Sequence, residues 1–387
     1  MNDNNYKDYH LAKLNKCLSD FKPLLREYDE FDFVLIAPEE YKKFKIQPFS
    51  VFITLVRFQK YRYWGRGEKI AWSIPVSYKN IPYLLSHVKW GFSVQVIKNQ
   101  ELDNKLTLEM LEKLTEAIRC ADKLLEPYSK EQIENGHVTI ANKYHILNDM
   151  YLYFRNSAKK AFQRPTPESK IISYDKNRNP TGWRCDITKN KREGFFNTTA
   201  MVDSFFSRLE HLLILLLPFR DYNHKKDSLI GLIDADWGRK YKRIFDVNDD
   251  KKAKHYYDRL ISIKEKFRNT LSHGFFEKNG ASLFFHMEGL GAIPCHLSSF
   301  TKSIHYSFYP IEYESFKEIC QEFDRFDRYL RDDIAAFGFK YIESGLNIAF
   351  DNRSIIDYKN AMNSEATFND YIDKMSDLTN NAANMDW

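Results

Sequence analysis

Apolar residues recur at helical spacing along several stretches of the chain. Leu11, Leu14, Leu18, Phe21 and Leu24 predict a helix over 9–28, broken by Pro23. Leu108, Leu111, Leu114, Ile118, Ala121 and Leu125 predict a second over 106–125, and 138–162 reads as a third that ends before Pro165. Farther on, Tyr256, Leu260, Ile263, Phe267 and Leu271 recur at spacings of four, three, four and four, with Gly274 placed to end that helix in the left-handed conformation. Stretches 33–36, 50–58, 69–75 and 92–98 are rich in β-branched and aromatic residues between Gly and Pro, which predicts a small sheet. Residues 275–286 read as a hairpin with Asn279-Gly280 in its turn. Between 164 and 196 the pattern lapses around three prolines, as in a linker, and 342–387 is polar and weakly periodic, as in a peripheral helix or partial disorder.

These elements give an α+β chain: a mixed domain over 1–163 with a small β-sheet and helices, a basic linker over 164–196, and a helical domain over 197–340. The helical domain carries a hairpin insertion at 275–310, and a polar tail over 341–387 follows. A length of 387 residues suits two or three domains, and 43% hydrophobic residues are ample for their cores. With 30 Phe and 24 Tyr those cores should be ring-rich, leaving some rings to stack on bases. The five cysteines are scattered and never form C-x-x-C, which suggests neither a disulfide framework nor a zinc site. The N-terminus lacks the basic and apolar regions of a signal peptide, and the longest apolar run, Leu212–Leu217, is far shorter than the ~20 residues of a membrane span. Cytoplasmic residence is the expectation. A net charge of +5 is compatible with nucleic acid without demanding it.

The densest candidate chemistry is Arg268-Asn269-Thr270-Leu271-Ser272-His273-Gly274, at the end of the helix that Gly274 stops. Arginine is a permanent planar cation suited to phosphate oxygens, and histidine moves its proton near neutral pH. Metal-free RNA cleavage needs a base for the 2′-hydroxyl, an acid for the leaving oxygen and a cation where charge builds on phosphorus. On an ideal helix, at ~100° per residue, Asn269 and His273 share a face while Arg268 lies about 140° from His273. None of the three falls on the core stripe. A solvated helix end with a favourable His–dipole contact would have the same placement.

Other signals are weaker. Arg57, Lys60, Arg62, Trp64 and Arg66 mix cations with a stackable ring, as a grip on single-stranded nucleic acid requires, although an ordinary sheet edge alternates in the same way. Lys189, Lys191 and Arg192 close a basic stretch in which Tyr174 and Trp183 would stack on bases; a merely solvated connection accounts for it equally well. His286, His296 and His305 lack an acidic partner at ligand spacing, so no metal is expected there. Asp234 and Asp236 beside Trp237 read as a loop and helix cap. Phosphate-loop, dinucleotide, nucleophile-elbow and H-E-x-x-H patterns do not occur.

The pattern Arg-Asn-x-x-x-His, followed by Gly and preceded by a long basic amphipathic helix, resembles the signature of the HEPN superfamily, small helical domains that include many metal-independent ribonucleases. The likeness covers roughly 197–339. Phe205–Leu217 (FFSRLEHLLILLL, stopped by Pro218) resembles the first long helix of such a domain, and Glu312–Arg331 the closing one. The resemblance implies an all-α bundle around the hairpin and an endoribonuclease that leaves 2′,3′-cyclic phosphate ends without a cofactor. It assigns His273 as general acid/base, Arg268 as the cation on the scissile phosphate and Asn269 as an orienting group, with Glu210 and His211 as supports behind them. Catalytic members usually face two motifs across a dimer, and one motif per chain implies a homodimer on RNA. A bacterial stress, toxin or antiviral (abortive infection) setting is implied too, with an N-terminal sensor and a regulatory or antitoxin partner. The alternative is a non-catalytic protein that dimerises or holds nucleic acid or nucleotide through the same domain.

Overall fold

In a computed structural model, which describes residues 3–24, 32–36, 43–98, 103–184, 186, 188–269, 276–277, 280–297, 304–305, 311–332 and 335–386, the chain is a mixed α+β protein. It divides into two compact units, one of Met1–Glu134 with Asp373–Trp387 and the other of Asn135–Ile372.

In the first unit, α1 (Asp3–Cys17) is shorter than the predicted stretch because Phe21–Pro23 leaves the helix as strand β1. Pro23 has no N–H for a ladder, and β1 accordingly lies at a sheet edge. Strand β2 (Phe33–Ile36) forms the other edge. Over 50–58 the expected strand is helical instead: α2 (Pro48–Phe52) runs into a π-helical turn, Ile53–Phe58. The residue types suit a strand, yet Val51, Thr54 and Leu55 fall at helical spacing and all three are buried, so core contact overrides local preference. Strands β3 (Ile70–Tyr78), β4 (Ile81–Val88) and β5 (Gly91–Ile97) complete an antiparallel sheet in the order β1-β3-β4-β5-β2. Strand β4 was not anticipated. Lys79 and Asn80 (φ 48° and 67°) make the β3–β4 turn, both in the left-handed region that a two-residue primed turn requires. Helix α3 (Asn104–Glu134) runs beyond its predicted end, and its Leu111 and Leu114 join Leu14, Ile74, Val76 and Leu85 in the core.

The second unit begins before the predicted linker, because α4 (Tyr144–Gln163), preceded by the short strand β6 (Thr139–Ile140), buries Tyr144, Tyr151, Ala158 and Ala161 within it. The 164–196 stretch is no plain linker either. It forms an exposed hairpin of β7 (Lys170–Tyr174) and β8 (Pro180–Arg184), and then the start of α5 (Lys189–Leu215). Helix α5 is deeply buried, and its Phe205 stacks on Phe323 at 3.5 Å. Helices α6 (Leu229–Ile233), α7 (Trp237–Ile244) and α8 (Lys251–Ile263) follow. Asp236 caps α7 by accepting the Arg239 N–H at 3.0 Å, the role expected for it.

Strands β9 (Phe276–Glu277), β10 (Gly280–Met287), β11 (Gly291–Leu297) and β12 (Ile304–His305) form a second antiparallel sheet. Strands β9 and β10 pair antiparallel as the expected hairpin requires, but Gly280 sits in the ladder opposite Glu277, and Asn279 lies outside the described residues; the longer hairpin is β10–β11, turned by Gly289 and Gly291 at positive φ. Helix α9 (Tyr313–Asp332) closes the bundle and is followed by α10 (Ala336–Glu343). Strand β13 (Ile348–Ala349) pairs with β6, and α11 (Asn352–Ala361) and α12 (Glu365–Asn384) end the chain. Its polar tail is therefore structured, because Ile348, Phe350, Tyr358 and Phe368 are buried. The last residues belong to the first unit, where Lys69 pairs with Asp386 and Lys89 donates to Asn384 at 3.1 Å. No helix among the described residues is long and apolar enough to cross a membrane.

Candidate active site

The motif hangs from a helix that is anchored at its start. Asp250 accepts the N–H groups of Lys252 and Ala253 at 2.8 and 3.1 Å, and Tyr329 of α9 donates to the same carboxylate at 3.3 Å. Leu260, Ile263 and Phe267 are buried as the apolar period predicts, and Tyr256 is half-buried. After Ile263 the regular helix widens into a π-helical turn, Lys264–Asn269. Such a turn bonds i to i+5, so the regular 3.6-residue period does not carry through Lys264–Asn269. Within it Phe267 stays in the core, while the Lys264 ammonium lies 5.4 Å from the ring centres of both Phe206 and Trp237. That cation between two rings fastens the turn to α5 and α7. Arg268 and Asn269 belong to the turn by their backbone. Their side chains and all of His273 lie outside the described residues.

Glu210 lies one helical turn from Phe206 on α5 and pairs with the buried Lys240 of α7 at 3.1 Å. His211 has another partner, since its Nε2 accepts the Lys143 N–H at 2.9 Å, just before α4 begins. Each therefore has a polar partner among the described residues. Burial, and secondarily the nearby Lys143 charge, lowers the His211 pKa below its ordinary value.

The sign of the resulting pH dependence follows. The unfolded chain takes up the His211 proton first as pH falls through about 6.5, so this histidine's contribution to stability is complete above that pH. It declines below it and levels off once the lower folded pKa has been passed. Urea midpoints measured near neutrality and about one unit below 6.5 should fall in the wild type, with a smaller decline in His211→Gln. An identical decline in the variant would show that His211 does not cause it.

The basic residues predicted to hold RNA fall into two groups. Arg57, Lys60, Arg62, Trp64 and Arg66 belong to the first unit, where the cations are exposed but the rings are largely turned inward. Trp64 bridges to Ser73 of β3 and meets Phe33 edge-on, Tyr61 is buried, and the Arg57 guanidinium lies over Tyr128. Lys189, Lys191 and Arg192 occupy the first turn of α5 in the second unit, where Lys191 pairs with Glu312 at 3.2 Å and Arg192 with Asp186 at 2.9 Å. Tyr174 is exposed on the hairpin, and the Trp183 side chain lies outside the described residues.

Sequence reasoning missed the most deeply held charge. Arg208 of α5 is almost fully buried and bonds both oxygens of Asp327 on α9, at 2.7 and 2.9 Å, and Asn148 of α4 at 2.6 Å. Its guanidinium also lies 4.7 Å from the Tyr151 ring centre and 5.0 Å from that of Phe205. The signal was present, because Arg208 interrupts the apolar run on the face shared with Phe205 and Leu212. No family model, curated protein or solved structure matches the chain.

Proposed function

We propose that the protein is a metal-independent endoribonuclease that works as a homodimer through its second unit. The observation that carries the reading is the motif Arg268-Asn269-x-x-x-His273 at the end of a basic amphipathic helix, reached through a π-helical turn whose Lys264 and Phe267 hold it to the bundle. Widened turns of this kind recur at functional sites. His273 takes the proton of the RNA 2′-hydroxyl or delivers one to the leaving 5′-oxygen, and Arg268 steadies the charge on the phosphorane-like transition state. Asn269 orients the histidine or the phosphate. Because the internal 2′-oxygen attacks, the products are a 2′,3′-cyclic phosphate and a 5′-hydroxyl. A stress, toxin or antiviral defence role, with the first unit as sensor and a regulatory partner, belongs to the same reading.

Labelled RNA incubated with the full chain in EDTA is expected to yield fragments with those two kinds of end. Loss of all cleavage in EDTA, or 3′-hydroxyl ends, would sink the mechanism. Failure to cut any RNA, together with binding that weakens steeply with salt, would favour the non-catalytic alternative.

A further inference from the structure

Helix α8 forms one wall of a second polar feature. Lys251, Lys252 and His255 face Arg325 and Arg328 of α9 across a cleft of about 570 Å³, with Tyr256 and Tyr329 also lining it. The two tyrosine rings are stacked with centres 4.7 Å apart, and Tyr329 is fixed by its bond to Asp250. All five lysine, histidine and arginine side chains are exposed. Among the described lining residues Asp332 is the one acid, beside the cations of Lys251, Lys252, Arg325 and Arg328. Arg325 is shared with the buried Glu322, to which it donates at 2.7 Å. Arg328, among the described residues, meets only a backbone carbonyl, its Nε donating to Asp324 O at 3.4 Å.

From these observations we propose that the α8–α9 cleft is a phosphate-binding track for an RNA strand, leading toward the motif turn. The proposal rests on the ribonuclease reading and extends it to where the strand lies. Cations held at the mouth of a cleft with apolar ring walls suit the phosphates of a polyanion, and contacts of this kind position a strand without reading its sequence. Helix α8 continues without a break into the turn carrying Arg268. The regular helix from Lys252 to Ile263, eleven residues at ~1.5 Å each, alone spans roughly 16 Å before the turn that carries Arg268. That distance exceeds one nucleotide and suits a strand.

The test uses the full chain and a labelled 2′-O-methyl oligonucleotide, which keeps the phosphates but cannot be cut by its own 2′-oxygen. In Lys252→Gln/Arg328→Gln, affinity at low salt is expected to fall at least tenfold. The slope of log affinity against log salt, between about 50 and 200 mM, is expected to shrink by about 1.4, the value for two lost phosphate contacts on a single strand. Lys130→Gln, at an exposed site of the first unit, should change neither. Lys252 and Arg328 both have partners in the fold, so melting curves of each variant are recorded beside the binding data and should show a folded protein at the assay temperature.

Unchanged affinity and slope in the double variant would overturn the track. So would tight binding of a nucleoside triphosphate that depends on both residues while oligonucleotide binding does not. The two readings separate cleanly. If the double variant binds and cuts RNA like the wild type, the track falls and the nuclease stands; cleft-dependent binding by a chain that never cuts leaves the track and removes the nuclease.

Discussion

Cleavage of labelled RNA is expected to fall by roughly two to four orders of magnitude in His273→Ala, the usual contribution of a positioned general acid or base. Arg268→Ala is expected to lose about two to three orders of magnitude, as when one preorganised group facing developing charge is removed. The double variant should be little worse than His273→Ala, because groups that act as one unit do not contribute additively. If each site takes its arginine from one chain and its histidine from the other, mixing the two single variants restores activity. Half of the reassorted dimers would then be mixed, each with one intact site, giving about a quarter of wild-type activity under two-fold symmetry. Undiminished cleavage by both single variants would end the assignment of these residues. Loss of activity in each variant without recovery on mixing would leave them catalytic but confine each site to one chain.

What the sequence disclosed, and what it hid, divides by range. Helices α3 and α8 were legible because each buries a stripe at regular spacing, such as Leu260, Ile263 and Phe267 on α8, whereas α5 and α9 were expected from the family resemblance and α5 starts earlier, at Lys189. The motif was legible because it is a short pattern, contiguous in the sequence. The widening at Lys264 was not, and the rings that meet the Lys264 ammonium there, Phe206 and Trp237, are distant in sequence. Residues 50–58 were misread because β-branched composition was weighed above the spacing of Val51, Thr54 and Leu55. Strand β4 (IPYLLSHV) carries too weak an alternation to announce itself, and its place is set by pairing with both β3 and β5. The partners of Glu210 and His211, Lys240 and the backbone of Lys143, were hidden as well, because each lies far off in the sequence. Arg208 shows the limit most sharply, since its carboxylate partner lies 119 residues away.

That buried pair sets the largest expected stability effect. Asp327→Leu is expected to destabilise the second unit by about 3–5 kcal/mol, because it leaves the Arg208 charge in the core with only Asn148 and aromatic faces among the described residues to meet it. For a unit of this size, about 2–4 °C per kcal/mol makes the melting shift roughly 6–20 °C. Arg208→Met alone should cost a comparable amount by stranding the carboxylate, which is only 13% exposed. Combining Arg208→Met with Asp327→Leu removes both charges and restores apolar volume, so the double variant should recover much of the loss. Urea midpoints for the four proteins close the cycle. If the double variant loses as much as the two singles together, the pair is uncoupled and the argument fails. If it recovers, α4, α5 and α9 are clamped by complementary charge rather than by charge alone, and the α5 surface that receives Lys264 and the motif turn owes part of its rigidity to that clamp.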